Sequence, residues 1–333
     1  MNASRPENPS RIAWVDYAKG VGIVLVVVGH TLRGLQKTPV HVPGWEFADA
    51  WIYAFHMPLF FFLAGLFVEH SCRGSLEQFI DGKARRIMWP YFVWTIIQEG
   101  FRHLTGASTL AWADLWTIIF RPVMQFWFLY VLFLLLVLYA TWRKAGGSWQ
   151  WFIALAFALN LSLAFGVNYG AWGVIYQMWI NIPYLALGIL VSFTGGIDRI
   201  AAARTVVSAT AAVGGYFLIA VAVFFHVSGL AGCIVPLAAV GILSSVALSG
   251  CLARWRPAAG IATLGVLSLE IFVAHTIFAS CFRQMLLAVG IHSTALHLAG
   301  GIGVGLAGPV VLYAFCKRYH LQLLFSIPSK RHA

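Results

Sequence analysis

Long apolar stretches alternate with short polar or Gly- and Pro-bearing breaks along most of the chain. An α-helix needs about 20 apolar residues to cross a bilayer, and ten stretches of roughly that kind can be recognised. They lie at roughly 12–33, 47–68, 86–103, 126–142, 149–166, 173–193, 205–225, 229–250, 258–280 and 297–316. The pattern predicts an all-α integral membrane protein: one domain over residues 1–333, with about ten transmembrane helices and short tails.

Composition and charge agree with a membrane bundle. Of the 333 residues, 60% are hydrophobic and 10% are charged, against about 25% charged residues in soluble domains. With the N-terminus in the cytoplasm, 17 of the 22 Lys and Arg residues fall on the cytoplasmic side, as the positive-inside rule requires. Both termini are therefore predicted to be cytoplasmic. The net charge of +11 reports topology, and we expect no nucleic-acid partner.

Ionisable residues inside the predicted spans are the first candidates for chemistry, because their burial in lipid is costly. They are Asp16, Lys19, His30, His56, Glu99, Arg102, His226, Glu270 and His275. Glu99 and Arg102 have the spacing of a helical ion pair. Five cysteines without a C-x-x-C pair favour neither a disulfide framework nor a metal site.

Two basic features of the sequence suit an anionic ligand. Lys19 and His30 are 11 residues apart, which puts them on one helix face about 16 Å apart along the axis. Lys83, Arg85 and Arg86 lie at the start of the third span, where a helix N-terminus and cations both favour phosphate. A snorkelling lysine, a packing histidine and topological charge are the structural alternatives.

The remaining candidates lie deeper in the spans. His56 is near mid-membrane, and Pro58 is expected to bend the helix beside it; a structural histidine is the alternative. Glu270 and His275 are five residues apart, on different faces of one helix, and each is expected to face a polar interior. A G-x-G-x-x-G match at 303–308 lies inside an apolar span and indicates close helix packing.

Five segments resemble the acyltransferase-3 family of bacterial integral membrane O-acyltransferases, over about residues 12–316. The resemblance is closest to the subgroup related to fucose O-acetyltransferases. The segments are Asp16-Tyr-Ala-Lys19-Gly20 with Gly29-His30, His56-Met-Pro-Leu-Phe-Phe-Phe-Leu-Ala-Gly65, Arg86-Ile-Met-Trp-Pro90-Tyr91, Phe126-Trp127-Phe128-Leu129, and Ser268-Leu-Glu-Ile-Phe-Val-Ala-His275. The chain departs from the family pattern at Ala64, where Ser is common, and at Lys83, where Arg is the rule.

The resemblance implies a multi-pass enzyme of the bacterial inner membrane. It would transfer an acyl group, most simply acetyl from acetyl-CoA, to a sugar hydroxyl of a surface or secreted glycan, without a metal. The implied catalytic residues are His30, as general base or transient acyl carrier, with Glu270 and His275. Donor phosphates would bind Lys19, Lys83, Arg85 and Arg86. Asp16, His56 and Trp127 are assigned to substrate binding, Asp16 by orienting Lys19.

A transporter or glycan-lipid flippase, with His and Glu as proton relays, is the alternative function. Helices broken near the midplane would favour it, and Pro58 and Pro183 are candidate break points. For an acyltransferase, the positions of Lys19 and His30 instead predict a protein-lined pore through spans one, two, three and nine. The acceptor would enter past Arg33 and Trp127.

Overall fold

The computed structural model describes residues 12–108 and 110–328, which form a bundle of α-helices without a β-strand. The first seven helices are α1 (Ala13–Leu35), α2 (Trp45–Tyr53), α3 (His56–Ser71), α4 (Leu76–Lys83), α5 (Trp89–Leu104), α6 (Trp127–Lys144) and α7 (Trp149–Ala164). The others are α8 (Gly173–Phe193), α9 (Gly196–Ala202), α10 (Thr205–Phe224), α11 (Ala231–Leu252), α12 (Ala259–Val266), α13 (Ser268–Ala288) and α14 (Thr294–Arg318).

The prediction of an integral membrane helical bundle is confirmed. Within the described ranges, eight helical segments are long and apolar enough to cross a membrane, α2 and α3 together counting as one. The third predicted span falls on a π-helical turn that follows α4 and on α5, and the fifth falls on the 16-residue α7. The number of crossings and the side of the termini remain predictions. Arg5, Arg11, Lys330 and Arg331, which support that orientation, lie outside the described residues.

Helix α1 lies at the centre of the part of the bundle that carries the candidate residues. It packs against α2, α3, α11, α12, α13 and α14. The contact with α12 is backbone to backbone: a β-carbon on Gly20 would collide with the Ile261 carbonyl, and one on Gly265 with the Asp16 carbonyl. Close approach through small residues is how membrane helices gain packing energy. Residues of α1 are thereby held within reach of six other helices.

The second predicted span is interrupted where the sequence predicted a bend. Helix α2 ends at Tyr53, Ala54 and Phe55 form a turn, and α3 begins at His56. Pro58 lies in the first turn of α3, where the missing N–H would have no intrahelical partner. The helix is therefore interrupted beside His56 as predicted, but Pro58 is not at the break. The break precedes the proline, and it turns both Tyr53 and His56 towards α1.

The ninth predicted span, 258–280, is also divided. Helix α12 ends at Val266, and a second helix, α13, runs from Ser268 to Ala288. Hydropathy does not reveal this break because Leu264, Val266 and Leu267 are all apolar. As a result Glu270 lies in the first turn of α13, and α13 continues eight residues beyond the predicted end. The extension brings Arg283 into the bundle.

Close packing between α3 and α8 gives a testable consequence for stability. A β-carbon on Gly188 would collide with the Phe62 carbonyl and lie 2.9 Å from the α-carbon of Gly65. We expect Gly188→Ala to lower the free energy of unfolding by about 1–3 kcal/mol, the usual cost of overpacking. Thermal unfolding in detergent measures it. Gly303→Ala is the matched control, because its added carbon meets no heavy atom of the described chain within 4 Å. Equal melting of the two variants would contradict the packing argument.

Candidate functional site

A cavity of about 430 Å³ opens between the C-terminal half of α1, the α2–α3 break, the start of α6 and the middle of α13. We call it the His30 cavity. Besides His30, its polar and aromatic wall includes Arg33, Lys37, Tyr53, His56, Gln125, Trp127, Phe272, Thr276, Ser280 and Arg283. His30, His56 and Trp127, predicted from three separate spans, are thus brought together. Arg33, which the sequence placed on the route to His30, lines the same cavity.

His30 is held in a defined orientation by its own helix. Its Nδ1 lies 2.9 Å from the Val26 carbonyl oxygen, one turn earlier on α1. A carbonyl can only accept a hydrogen bond, so Nδ1 carries the proton. The lone pair is then on Nε2 of a half-buried ring that lines the cavity. This tautomer is the one that a proton acceptor or nucleophile needs.

Two further histidines, His56 and His275, lie close to His30. Each makes the same kind of hydrogen bond, from Nδ1 to a backbone carbonyl of an earlier residue. Nδ1 of His56 lies 2.9 Å from the Ile52 carbonyl, and Nδ1 of His275 lies 2.8 Å from the Phe272 carbonyl. The His275 ring meets the His30 ring edge to face, with centroids 5.0 Å apart. The Nε2 atoms of His56 and His275 are buried and have no hydrogen-bond partner among the described residues. His275 thus packs behind His30, while His30 faces the cavity.

The α2–α3 break supplies the opposite wall. The centroid of the Tyr53 ring lies 4.4 Å from the centroid of the His56 ring. The Cζ atom of Arg33 lies over the Tyr53 ring, 3.2 Å from its centroid. Arg33 also donates to both carboxylate oxygens of Asp49, at 2.6 and 2.8 Å. This bidentate pair neutralises the Arg33 charge and fixes its plane.

A buried polar network that hydropathy did not reveal joins three helical segments beside the cavity. Gln125 donates to Gln98 at 2.7 Å and to Thr276 at 3.0 Å, and Thr276 donates to Gln98 at 2.7 Å. Met124, just before Gln125, has a left-handed backbone with φ of 49°. These uncharged side chains place Thr276 in the cavity wall next to His275. The only signal in the sequence was polar residues in otherwise apolar spans.

A second cavity, of about 260 Å³, lies deeper along α1 towards its N-terminal end. We call it the Lys19 cavity. Lys19, Lys83 and Arg86 supply its cations, and its apolar wall comes from α3, α6 and α13. The two basic features of the sequence, 64 residues apart, therefore meet in one cavity. Helix α6, the fourth predicted span, contributes much of this wall, although the predicted pore did not include it.

A π-helical turn, Ala84–Met88, shapes the basic end of this cavity. Such turns insert an extra residue into a helix and are frequent at functional sites. Lys83 and Arg86 line the Lys19 cavity and also an adjoining surface pocket, whereas Arg85 lines that pocket but not the Lys19 cavity and donates from Nε to Asp81 at 2.7 Å. Burial, together with neighbouring Arg86, lowers the pKa of Lys83 below its usual value. Lys83 and Arg86 meet no Asp or Glu side chain among the described residues that line the Lys19 cavity, so this end of the cavity favours an anionic ligand.

Aromatic rings separate the two cavities where the sequence predicted a continuous pore. Phe272 lines both cavities. Its ring centroid lies 5.4 Å from that of Phe128, which lies 5.8 Å from that of Phe60. We call these three rings the aromatic septum. Trp127 lines the His30 cavity and the next residue, Phe128, lines the Lys19 cavity, so the start of α6 spans the division.

Not every predicted residue lies in the wall of one of the two cavities. Ser268 and Leu269 line the Lys19 cavity, but Glu270 lines neither this cavity nor the His30 cavity, and its Oε2 is buried without a hydrogen-bond partner among the described residues. Asp16 is half-buried one turn before Lys19. Glu99 and Arg102 form the expected ion pair at 2.6 Å. In the described part of the chain, no group of three or more His, Cys, Asp or Glu residues is arranged to hold a metal ion.

Comparison with known proteins shows which family the chain belongs to. Residues 12–314 match the Acyl_transf_3 model, described as an acyltransferase domain. Nodulation protein NolL of Mesorhizobium japonicum is 35% identical over 82 residues, which are 24% of this chain and 21% of that protein. The match thus spans about a fifth of that relative's length. No solved structure matches the chain.

Proposed function

The chain belongs to the acyltransferase-3 family, and on that premise we propose that it transfers an acetyl group from acetyl-CoA to a hydroxyl of an envelope or secreted glycan. The observation that carries the proposal is the pairing of a basic cavity with a histidine cavity across one shared wall residue, Phe272. The acyl donor and the acceptor would approach from opposite sides of the bacterial inner membrane. The narrower fucose-related subgroup remains a prediction.

The Lys19 cavity suits the donor. Lys19, Lys83 and Arg86 supply cations for its phosphates, and the apolar wall beyond them suits an extended pantetheine arm. Charge-assisted hydrogen bonds to phosphate are stronger than neutral ones. By the distribution of Lys and Arg, this end of α1 faces the cytoplasm, where acyl-CoA is made. Arg85 borders the adjoining pocket at the mouth and contributes at longer range.

The His30 cavity suits the acceptor. Nε2 of His30 takes the proton of the sugar hydroxyl as its oxygen attacks the thioester carbonyl carbon. The new C–O bond forms, the C–S bond breaks, and the proton passes to the departing thiolate, so that ester and CoA thiol result. The Val26 carbonyl stabilises the positive ring through Nδ1–H. If His30 instead carries the acyl group, the same Nε2 lone pair attacks first and the hydroxyl second.

The aromatic septum determines where the reaction takes place. The thioester arrives from the Lys19 side and the hydroxyl from the His30 side, so Phe272 must turn aside for their reactive atoms to meet. A closed septum keeps water from the thioester while no acceptor is bound. Transfer is therefore expected to depend on rotation of a few rings, with no need for movement of whole helices.

Reconstitution of the purified full-length chain into proteoliposomes tests the function. With labelled acetyl-CoA on one side only and a glycan extract on the other, we expect label in the glycan and CoA thiol on the donor side, because the proposal assigns donor and acceptor to opposite membrane faces. Omission of the protein is the control for chemical acetylation. Binding of acetyl-CoA without transfer to any glycan, in extracts of the source envelope, would argue against the proposal.

The transporter alternative retains two supporting observations, the breaks between α2 and α3 and between α12 and α13. Broken helices occur in transporters near the midplane. Family membership argues for covalent chemistry instead, and the break between α2 and α3 has a role in the enzyme, because it orients Tyr53 and His56 around His30. A transporter would move glycan without consuming acetyl-CoA, which the same proteoliposomes distinguish.

A further inference from the structure

More Lys and Arg residues lie around the His30 cavity than the positive-inside rule explains. A third cavity, of about 530 Å³, adjoins the His30 cavity. The two cavities share the wall residues Lys37, Met124, Thr276, Ser280 and Arg283. Five of the 22 Lys and Arg residues belong to the predicted periplasmic side, where the positive-inside rule disfavours them. Four of those five, Arg33, Lys37, Arg102 and Arg283, line these two cavities. A function other than topology is therefore indicated.

Two of these four charges are neutralised within the protein. Arg33 is paired with Asp49 at 2.6 Å, and Arg102 is paired with Glu99 at 2.6 Å. Neither cavity wall contains an Asp or Glu side chain among the described residues. Lys37 and Arg283 form no salt bridge with any described carboxylate. The combined cavity thus keeps two uncompensated positive charges.

Arg283 is held directly over the route to His30. Its Cζ would lie 3.2 Å from a β-carbon on Gly34, so the glycine leaves room for the guanidinium to reach from α13 across α1. Its Nη2 donates to Ser280 at 3.2 Å, while its Nε is buried and has no partner among the described residues. Gly34 is one turn beyond His30 on α1, about 6 Å along the axis.

We propose that the His30 cavity recognises an acidic saccharide, with a carboxylate or phosphate of the acceptor bound by Arg283 and Lys37. This inference rests on the proposed acyl transfer to a glycan. An anionic group would satisfy the buried Nε of Arg283 and compensate both free charges, which a neutral sugar does not. The spacing of about one helical turn places the acidic group on the sugar that is acylated or on its neighbour.

Binding of defined saccharides to the full-length chain in neutral-lipid nanodiscs tests the proposal. The probes are trigalacturonic acid, galactose 6-phosphate and neutral galactotriose, titrated at low salt. We expect at least one acidic probe to bind roughly tenfold to a hundredfold more tightly than galactotriose, the range for charge-assisted hydrogen bonds. The first two probes separate a carboxylate acceptor from a phosphate acceptor. Equal binding of all three probes would overturn the inference.

Variants assign the preference to its residues. Arg283→Gln and Lys37→Gln should each reduce it by roughly tenfold, and Arg121→Gln should leave it unchanged, because Arg121 is on the same predicted side but outside both cavity walls. Retained acetyl-CoA binding verifies that each variant is folded. If Arg283→Gln does not fold, Arg283→Lys and Lys37→Gln decide the matter. A preference that survives in both folded glutamine variants would also overturn the inference.

The failure of this inference and the failure of the proposed function give different results. Acetyl transfer to a glycan with no charge preference in binding would remove the acidic acceptor and leave the acyltransferase. A charge preference that depends on Arg283, with no acetyl transfer to any glycan, would leave an anion-binding cavity and remove the proposed reaction.

Discussion

Replacement of His30 by alanine is expected to lower acetyl transfer by about 10²- to 10⁴-fold, the usual contribution of a general acid–base group. The reason is specific to this ring: its Nδ1–H is tied to the Val26 carbonyl, so Nε2 presents a lone pair to the cavity. Initial rates of CoA release with saturating acetyl-CoA and glycan extract provide the measurement. Binding of acetyl-CoA should be unchanged, because the proposed site for the donor phosphates is the other cavity.

His297→Ala is the matched control for the loss of an intramembrane histidine. His297 is buried on α14 and bonded through Nε2 to the Ile291 carbonyl, and it lies outside the walls of both cavities. We expect its variant to be less stable but, once folded, to transfer acetyl at close to the normal rate. A His30→Ala protein that binds acetyl-CoA and transfers acetyl at the wild-type rate would remove His30 from the mechanism.

Hydropathy was sufficient to predict the bundle because each membrane helix must satisfy its own backbone in lipid. Helix α8, Gly173–Phe193, coincides with the predicted span at 173–193. Breaks inside apolar segments could not be predicted in the same way. The turn at Ala54 and Phe55 and the one at Leu267 consist of apolar residues, so hydropathy does not mark them.

The candidate site was predicted where charge made it conspicuous. Lys19 and His30 were identified in the first span, His56 in the second and Trp127 in the fourth, but the convergence of these spans depends on helix packing, which spacing within one helix cannot reveal. Thr276 and Gln125 were missed because one uncharged polar residue in a span has little effect on hydropathy. Phe272 was missed because a phenylalanine in a membrane helix is ordinary. Its importance comes from its position between two cavities.

Arg283 shows how topology can obscure function. In the sequence it was counted as one cation on the less basic side of the membrane, and it had no motif. The structure places it across Gly34, one turn from His30. The same reasoning separates Arg86 from Arg85: two adjacent arginines are equivalent in the sequence, but Arg86 lines the Lys19 cavity, whereas Arg85 does not and donates to Asp81.

Reversal of the charge at Arg86 is therefore expected to weaken acetyl-CoA binding by roughly tenfold to a hundredfold, the range for a lost charge-assisted hydrogen bond. In Arg86→Glu, a carboxylate would stand beside the donor phosphates in a cavity where Lys19 and Lys83 supply the other cations. Titration of the detergent-purified variant with acetyl-CoA, at fixed salt because exposed charges are screened, gives the dissociation constant. Transfer at saturating donor should decline much less, because His30 is untouched.

Variants at two other arginines, Arg73 and Arg85, test whether the effect on acetyl-CoA binding is specific to the Lys19 cavity. Arg73→Glu makes the same charge change on an exposed residue outside both cavity walls, and it should leave donor affinity near the wild-type value. Arg85→Glu should have an intermediate effect, because Arg85 borders the mouth but already donates to Asp81. Equal weakening by all three variants would mean that CoA responds to the net charge of this surface alone. A graded series, greatest at Arg86, is what a phosphate bound at the π-helical turn requires.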